Sequence, residues 1–179
     1  MASQTSLTGA AGEYYVLYEL LRQGYIAALA PTGAPNVDIV VTNKEGSRQC
    51  SIQVKTRRGV GADGGWHLSI KHEKIIRERL FYCFVDFQEP NEKRPLVAVM
   101  PSAEVATSIA AAHQKWLDTP GKKGQKHNDN PMRRLLPDYA KSLHAADFPY
   151  GADWFNQYID AWHLLKIDPI DPEQAIAEE

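Results

Sequence analysis

The sequence has little that would commit it to a membrane, a disulfide framework or a structural zinc site. Its 179 residues include two cysteines, Cys50 and Cys83, both inside strand-like runs and without metal-ligand spacing. Buried free thiols in a reducing compartment are therefore expected. The N-terminus has neither a basic n-region nor a long apolar run, which predicts a cytoplasmic chain with no membrane segment. Neither sign of charge dominates: 20 Lys and Arg face 22 Asp and Glu, a net charge of −2, so nucleic-acid binding would need a local basic patch. The glycine-rich residues 59–65 lack the GK(S/T) ending of a phosphate-binding loop, and no helix follows them directly. His67 has no zinc-ligand partner at the right spacing, and His72-Glu73 lacks the second histidine of HExxH, so both histidines read as solvated or structural. There is no internal repeat. Hydrophobic residues at 44% and charged residues at 23% are ordinary values for a globular domain, and the length is that of one domain.

What is present centres on residues 36–58. Two apolar-rich runs, 37–42 and 50–56, flank the turn-forming Asn43-Lys44-Glu45-Gly46 and predict a β-hairpin. Side chains alternate along a strand, so Ser51, Gln53 and Lys55 share one face while Cys50, Ile52 and Val54 share the other. A tight turn sets Asp38 opposite Ser51, with Gln53 a diagonal neighbour at roughly 7–8 Å. A loop one residue longer at each end sets Asp38 opposite Gln53. In both registers an aspartate, an amide and a lysine converge on one patch.

The ordered set Gly12-Glu13, Val37-Asp38 and Gln53-Val54-Lys55 resembles the signature of the PD-(D/E)xK nuclease superfamily. That signature is an acidic residue in a first helix, an Asp opening one strand, and (D/E/Q)-x-Lys on the next. Order and intervals are similar to those of archaeal Holliday-junction resolvases, and the Gln in an acid position is similar to Mrr-type endonucleases. The resemblance covers roughly the first hundred residues, and its specificity lies in the ordered set. It implies a restriction-endonuclease-like α/β (α+β) fold, a mixed central sheet flanked by helices, and divalent-metal-dependent cleavage of DNA. Asp38 would be the main anionic ligand of Mg²⁺, with Mn²⁺ as substitute. Gln53 would add an amide oxygen, Val54 its backbone carbonyl, and Glu13 a carboxylate reaching directly or through water. Lys55 would orient or help deprotonate the attacking water and offset developing negative charge. Thr32, in the loop leading to the site, and Arg57 and Arg58, following it, are implied contacts to nucleic acid. Gln53 carries one negative charge fewer than the usual acid, which predicts weaker metal binding.

Elsewhere, residues 5–23 read as a helix capped by Ser6 or Thr8, with Gly24 at the left-handed position past its end. Ala10, Tyr14, Leu17, Tyr18 and Leu21 form its expected inward stripe. Glu13, about 40° from Leu17, borders that stripe. Residues 25–30, 66–70, 80–87 and 95–100 read as strands, 80–87 as a central one, and 71–79 as a short helix or loop. A helix over 103–117, capped by Ser102 with Glu104 in its first turn, places His113 on an apolar stripe as a hydrogen-bonded core residue. Residues 118–134 read as a basic loop, whose Lys122, Lys123, Lys126, Arg133 and Arg134 become phosphate contacts beside a nuclease-like site. A last helix over 151–165 carries Trp154, Phe155, Tyr158, Ile159 and Trp162 on one side, either as core or as a homodimer face, before an acidic tail from Asp168. The expected organisation is thus a core over 1–117, the basic loop 118–134, and a helical C-terminal extension over 135–179 packed on the same domain. Two other functions fit the sequence. One is a catalytically silent nucleic-acid-binding module of the same fold, with Gln53 marking lost chemistry. The other is an interaction or assembly protein using the aromatic C-terminal helix.

Overall fold

The first helix, α1 (Gln4–Arg22), is capped by Ser3, whose hydroxyl accepts the Ser6 N–H, so neither Ser6 nor Thr8 is the cap. Gly24, with φ of +85°, ends it in the left-handed conformation that favours glycine. The computed structural model of the chain describes residues 3–59, 64–88, 93–121, 123–145 and 147–171. Among these, no helix is long and apolar enough to cross a membrane.

Three strands follow α1: β1 (Ile26–Leu29), β2 (Ile39–Thr42) and β3 (Gln49–Arg58). They form an antiparallel meander in which Val40 faces Ser51 and Ile39 faces Ile52. The register therefore follows the longer of the two loops allowed by the sequence, which sets Asp38 across from Gln53. Asn43 explains the choice, because its side chain closes the wider loop by accepting the Arg48 N–H and donating to Glu45 and Ser47. Next come β4 (Trp66–Ser69), a 3-10 turn (Ile70–Lys74), β5 (Leu80–Phe87) and β6 (Leu96–Pro101). β5 lies parallel to β3, Gln53 beside Tyr82 and Lys55 beside Phe84, and β6 lies antiparallel to β5. The result is a five-stranded mixed sheet in the order β1-β2-β3-β5-β6. The expected strand at residues 66–70 exists but lies outside this sheet. Lying in the crossover from β3 to β5, it pairs with β7 (Met132–Leu135), which follows helix α2 (Ser102–Asp118), in a separate two-stranded ribbon.

Each face of the sheet carries its own core. Val16 and Leu20 of α1 pack with Ile39, Ile52, Val54 and Cys83 on one face. On the other, Val105 and Ile109 of helix α2 (Ser102–Asp118) pack with Tyr82, Phe84 and Met100. Ser102 is the first residue of α2 and not its cap; its hydroxyl is turned to Arg77, accepting the N–H and donating to the carbonyl at 2.8 Å each.

Three further expectations are corrected. The inward face of α1 is Gly12, Val16, Glu19 and Leu20, while Tyr14, Tyr18 and Leu21 point to solvent. Gly12 sets this rotation, since a Cβ there would stand 1.8 Å from Thr56 Oγ1, so the helix meets β3 at its glycine. Burial of Glu19 on that face is offset by Arg22 at 2.8 Å and Arg94 at 3.3 Å. The segment 118–134 is not a loop throughout, because Met132–Leu135 forms β7.

Residues 151–165 do not form a helix. After the four-residue helix α3 (Ala140–Leu143) come two 3-10 turns, Asn156–Tyr158 and Trp162–Leu165, broken by left-handed Asp153 and Asp160. Trp154, Phe155 and Tyr158 belong to the α2-side core, Trp162 and Leu165 to the α1-side core. Between them the chain crosses the open edge of β6, where Ile159 bridges Ala98 and the Asp160 N–H donates to Val97 at 2.9 Å. The segment closes an edge that would otherwise expose unpaired backbone. Its aromatics are spent on the two cores, which removes the C-terminal helix as a dimer face. The 135–179 extension is accordingly made of short turns, and of its tail residues 172–179 lie outside the described part.

Candidate active site

β2 begins one residue after Asp38, and the chain reaches it through Asn36, whose φ is 61°. Asp38 is nonetheless gripped by backbone on both sides: its N–H donates to Ile52 and its carbonyl accepts the Ala30 N–H, each at 2.8 Å. Beyond this end of β2 the Val54 N–H has no strand carbonyl to meet, and it donates instead to Asp38 Oδ2 at 2.6 Å. The N–H and C=O of one strand residue point to the same neighbour. The Val54 carbonyl is thus directed to the edge that Asp38 occupies.

Gln53, across from Asp38, is 7% exposed, and its Oε1 is buried without a hydrogen-bond partner. A buried orphan acceptor is costly in a folded protein unless it serves a ligand. Lys55 follows on the same face. Burial is the largest influence on its ammonium and lowers its pKa; Asp38 acts in the opposite direction, Lys71 adds to the lowering, and Glu13 opposes it. Glu13 is held beside β3 by the close approach of Gly12 to Thr56. Its carboxyl pKa is raised first by burial and then by Asp38, with Lys55 pulling it down. Each of the three charged groups thus lies within the field of the other two. Glu13 and Asp38, which sit 25 residues apart in the chain, reach the same end of β3.

Near Lys55 stand His72, read from the sequence as solvated or structural and here structural, and Lys71, which the sequence did not mark. The 3-10 turn Ile70–Lys74 sits over β5, where His72 Nδ1 shares a 2.7 Å hydrogen bond with Tyr82 Oη. Tyr82 is the β5 neighbour of Gln53, so this bond fixes the turn beside the candidate site. Glu73 is paired with the buried Arg133, which fixes the turn from its other side. Lys71, just before these two anchors, is exposed and close enough to Lys55 to influence it.

His72, 3% exposed, is a structural histidine, and its pKa is lowered to about 4 by burial first and by Lys55 and Lys71 after it. An unfolded histidine titrates near 6.5, so between about pH 6.5 and pH 4 the unfolded chain binds the extra proton. The stabilisation is complete above that window and is lost on acidification through it, by roughly 3 kcal/mol at most. Urea melts at pH 7 and pH 4.5 should reveal this loss, and His72→Phe, although less stable at pH 7, should flatten it. An equal pH dependence in both proteins would contradict this assignment.

The remaining expected contacts divide. Thr32 is exposed in the turn that precedes Asp38, where the Ala34 N–H donates to Pro31. Arg58 is exposed, with its guanidinium 5.4 Å from the Phe87 ring centre. Lys123 and Lys126 are exposed, and Arg134, half-buried on β7, lies across from His67. Lys122 lies outside the described residues. Arg57 and Arg133 are corrections. Arg57 is bound to Asp86 at 2.6 Å and lies 3.9 Å over the Trp66 ring. Arg133 is 4% exposed, and its donors go to Glu73 and to the Asn130 and Met132 carbonyls. Both were read as phosphate contacts because a charged side chain is usually solvated, and here each is desolvated against a fixed carboxylate. His113, only partly on the core face, bonds Asp129 at 2.7 Å.

Among the described residues no three His, Cys, Asp or Glu side chains gather as a metal cluster. The site's donor set is instead two carboxylates, the orphaned Gln53 amide oxygen and a strand carbonyl. All are hard oxygen donors of the kind Mg²⁺ and Mn²⁺ prefer, with one formal charge fewer than three acids would give.

No family model matches the sequence, and no curated protein matches it. Among solved structures the chain is similar to the bacterial homing endonuclease I-Ssp6803I, at 16% identity and a TM-score of 0.50, over 99% of this chain and 98% of that one. It is also similar to Archaeoglobus fulgidus Hjc, a Holliday junction resolvase from an archaeal hyperthermophile, at 16% identity and a TM-score of 0.42, over 76% of this chain and 95% of that one. The homing-endonuclease likeness, end to end at low identity, is one of architecture: the chain has a restriction-endonuclease-like fold.

Proposed function

We propose that the chain is a divalent-metal-dependent DNA endonuclease that hydrolyses phosphodiester bonds at Glu13, Asp38, Gln53 and Lys55. The observation that carries this reading is the pairing of Asp38 with a buried, unpartnered Gln53 Oε1 beside a half-buried lysine. A bound Mg²⁺ or Mn²⁺ would supply Lewis acidity toward the phosphate and a more acidic water. Asp38, Gln53 Oε1, the Val54 carbonyl and Glu13 would hold it. Asp38 is pre-oriented for this by the Val54 N–H on its other oxygen. Lys55, with its pKa lowered by burial, can present N–H donors to a water or phosphate oxygen, and it gives up a proton more readily than a solvated lysine. Lys71, exposed near Lys55, would contact a phosphate oxygen. Thr32, Arg58, Lys122, Lys123, Lys126 and Arg134 are the proposed contacts to the flanking DNA backbone, each Lys or Arg of which would release counterions on binding.

The test is a cleavage screen on single-stranded, duplex and branched DNA with Mg²⁺ or Mn²⁺, beside a Mn²⁺ titration followed by thermal melting. Gln53→Glu restores a third carboxylate, so it should tighten Mn²⁺ binding about tenfold and keep or raise cleavage. Wild-type protein that is inert on every DNA form, with a melt insensitive to Mn²⁺, would reject the catalytic reading. DNA binding retained under those conditions would identify the silent module instead.

A further inference from the structure

α1 carries two apolar faces, and among the described residues only one of them is covered. Gly12, Val16 and Leu20 are buried against the sheet. On the opposite side Leu7 is 61% exposed, Tyr14 62%, Tyr18 56% and Leu21 52%. With the partly exposed Ala11, these residues stand at steps of four, three, four and three along the chain. That alternation is the seam of a two-heptad coiled coil, and on an α-helix it falls within an arc of about 80°. A helix apolar on opposite sides is ordinarily covered on both.

We propose that this outward face of α1 is the surface through which two copies of the chain pair, antiparallel about a two-fold axis. The chemistry of the strip selects this occupant. The charges of α1 are Glu13, Glu19 and Arg22; Glu19 is buried, Arg22 is ion-paired with it, and Glu13 lies about 120° from the seam, toward Asp38. The face therefore offers nothing to a phosphate backbone, which demands cations. Its flanking cations, Arg22 and Arg94, are both ion-paired with Glu19, unlike the solvated lysines and arginines of a helix that lies on an anionic bilayer.

The strip is complementary to itself. With the axis passing between Ala11 and Tyr14, Ala11 of each copy lies opposite Tyr14 of the other, so that a small residue receives a ring. Leu7 then lies opposite Tyr18. An isologous contact requires this reciprocal matching, and antiparallel packing also opposes the two helix dipoles favourably. The four large side chains expose roughly 400 Å² per copy, taking about 200 Å² for each when fully exposed. A pair would bury roughly 800 Å² from these alone, and the flanking Gln4, Ala10, Ala11 and Leu17 bring the contact to about the 1,000 Å² that a specific interface needs. A contact of that size sits at the small end of specific interfaces, where pairing is weak and reversible.

Sedimentation equilibrium of the full chain, from below 1 to several hundred micromolar (roughly the span that brackets such a Kd), tests the pairing. The wild type should pass from monomer to dimer with a Kd on the order of 10 μM. Tyr14→Glu combined with Tyr18→Glu should weaken this at least ~100-fold, while the melt of the dilute monomer stays that of the wild type. Tyr18 also touches Tyr15, so Leu7→Glu, on the exposed first turn, is the second variant and should weaken pairing about tenfold by itself. A wild type that remains monomeric throughout overturns the proposal, as does pairing that both variants leave intact. Gain of mass only on DNA or on lipid vesicles likewise overturns it, in favour of those occupants. None of these outcomes depends on whether the protein cleaves DNA.

Discussion

Lys55→Ala is expected to lower turnover on DNA by about 10²–10⁴-fold, with little change in melting temperature or in Mn²⁺ binding. Lys55 is the charged group at the centre of the patch, and the field of Glu13 and Asp38 is directed at it. Truncation removes the donor and the positive charge together, but leaves Asp38, Gln53 and the Val54 carbonyl where they are. Asp38→Asn should be at least as damaging, for a different reason. The Asn amide oxygen can still accept the Val54 N–H that Asp38 Oδ2 now accepts at 2.6 Å, so the strand end should survive. What disappears is the main negative charge for a cation, and with it the metal-dependent part of DNA binding. The pair of variants therefore separates two losses. Lys55→Ala should bind metal and DNA without cleaving, and Asp38→Asn should lose the metal response. Turnover measured at saturating DNA, beside a Mn²⁺ melt titration, distinguishes them. Cleavage that persists in both variants would mean that other residues perform the reaction.

The hairpin that carries this site was legible because two rules agree there. Period-two alternation fixes which of Asp38, Gln53 and Lys55 share a face, and the turn residues fix where the strands reverse. The continuous apolar run at Leu80–Phe87 was equally plain, since a strand buried on both faces has no other composition. The rotation of α1 was not legible. Its outward seam is richer in large apolar residues than its inward face, so periodicity points to the wrong side. The decisive residue, Gly12, is the one with no side chain to count. β7 was hidden for a related reason. Met-Arg-Arg-Leu reads as part of a charge run, and only the pairing of Arg133 with Glu73 converts it into a buried strand. In residues 151–165 the apolar spacing was real, but the aromatics serve cores on opposite faces of the sheet, which a straight helix at one edge cannot do. Lys71, and the place of the structural His72 beside the site, became visible only once Tyr82 was placed beside Gln53. In each case a contact between segments distant in sequence decides, and local pattern has no access to it.

Arg57→Ala is expected to cost about 3–5 kcal/mol of stability, a loss of a different kind from that at Lys55. Arg57 stands directly beside Asp86 across the parallel β3–β5 pair, and both side chains are close to 10% exposed, at 13% and 10%. Its Nε and Nη2 donate to Asp86 Oδ2 at 3.0 and 2.6 Å, and Nη1 donates to the Gly64 carbonyl. Its guanidinium plane lies 3.9 Å from the centre of the Trp66 ring, which is itself held by an indole N–H donated to the Val85 carbonyl at 3.0 Å. One side chain therefore ties β3, β5 and the start of β4 together. Asp86 Oδ1 is already buried without a partner, so removing Arg57 leaves the whole carboxylate desolvated and unpaired. Arg57→Lys should recover only part of the loss, because an ammonium cannot make the forked contact to Asp86 and stack on Trp66 at once. Replacing both partners by apolar groups, Arg57→Met with Asp86→Leu, should be less harmful than Arg57→Ala alone, since no buried charge then remains. Urea unfolding of the wild type and these three variants measures each loss. Were Arg57 the phosphate contact that its neighbourhood in the sequence suggests, Arg57→Ala would leave the unfolding midpoint nearly unchanged. It would instead flatten the dependence of DNA affinity on salt by about one unit of slope.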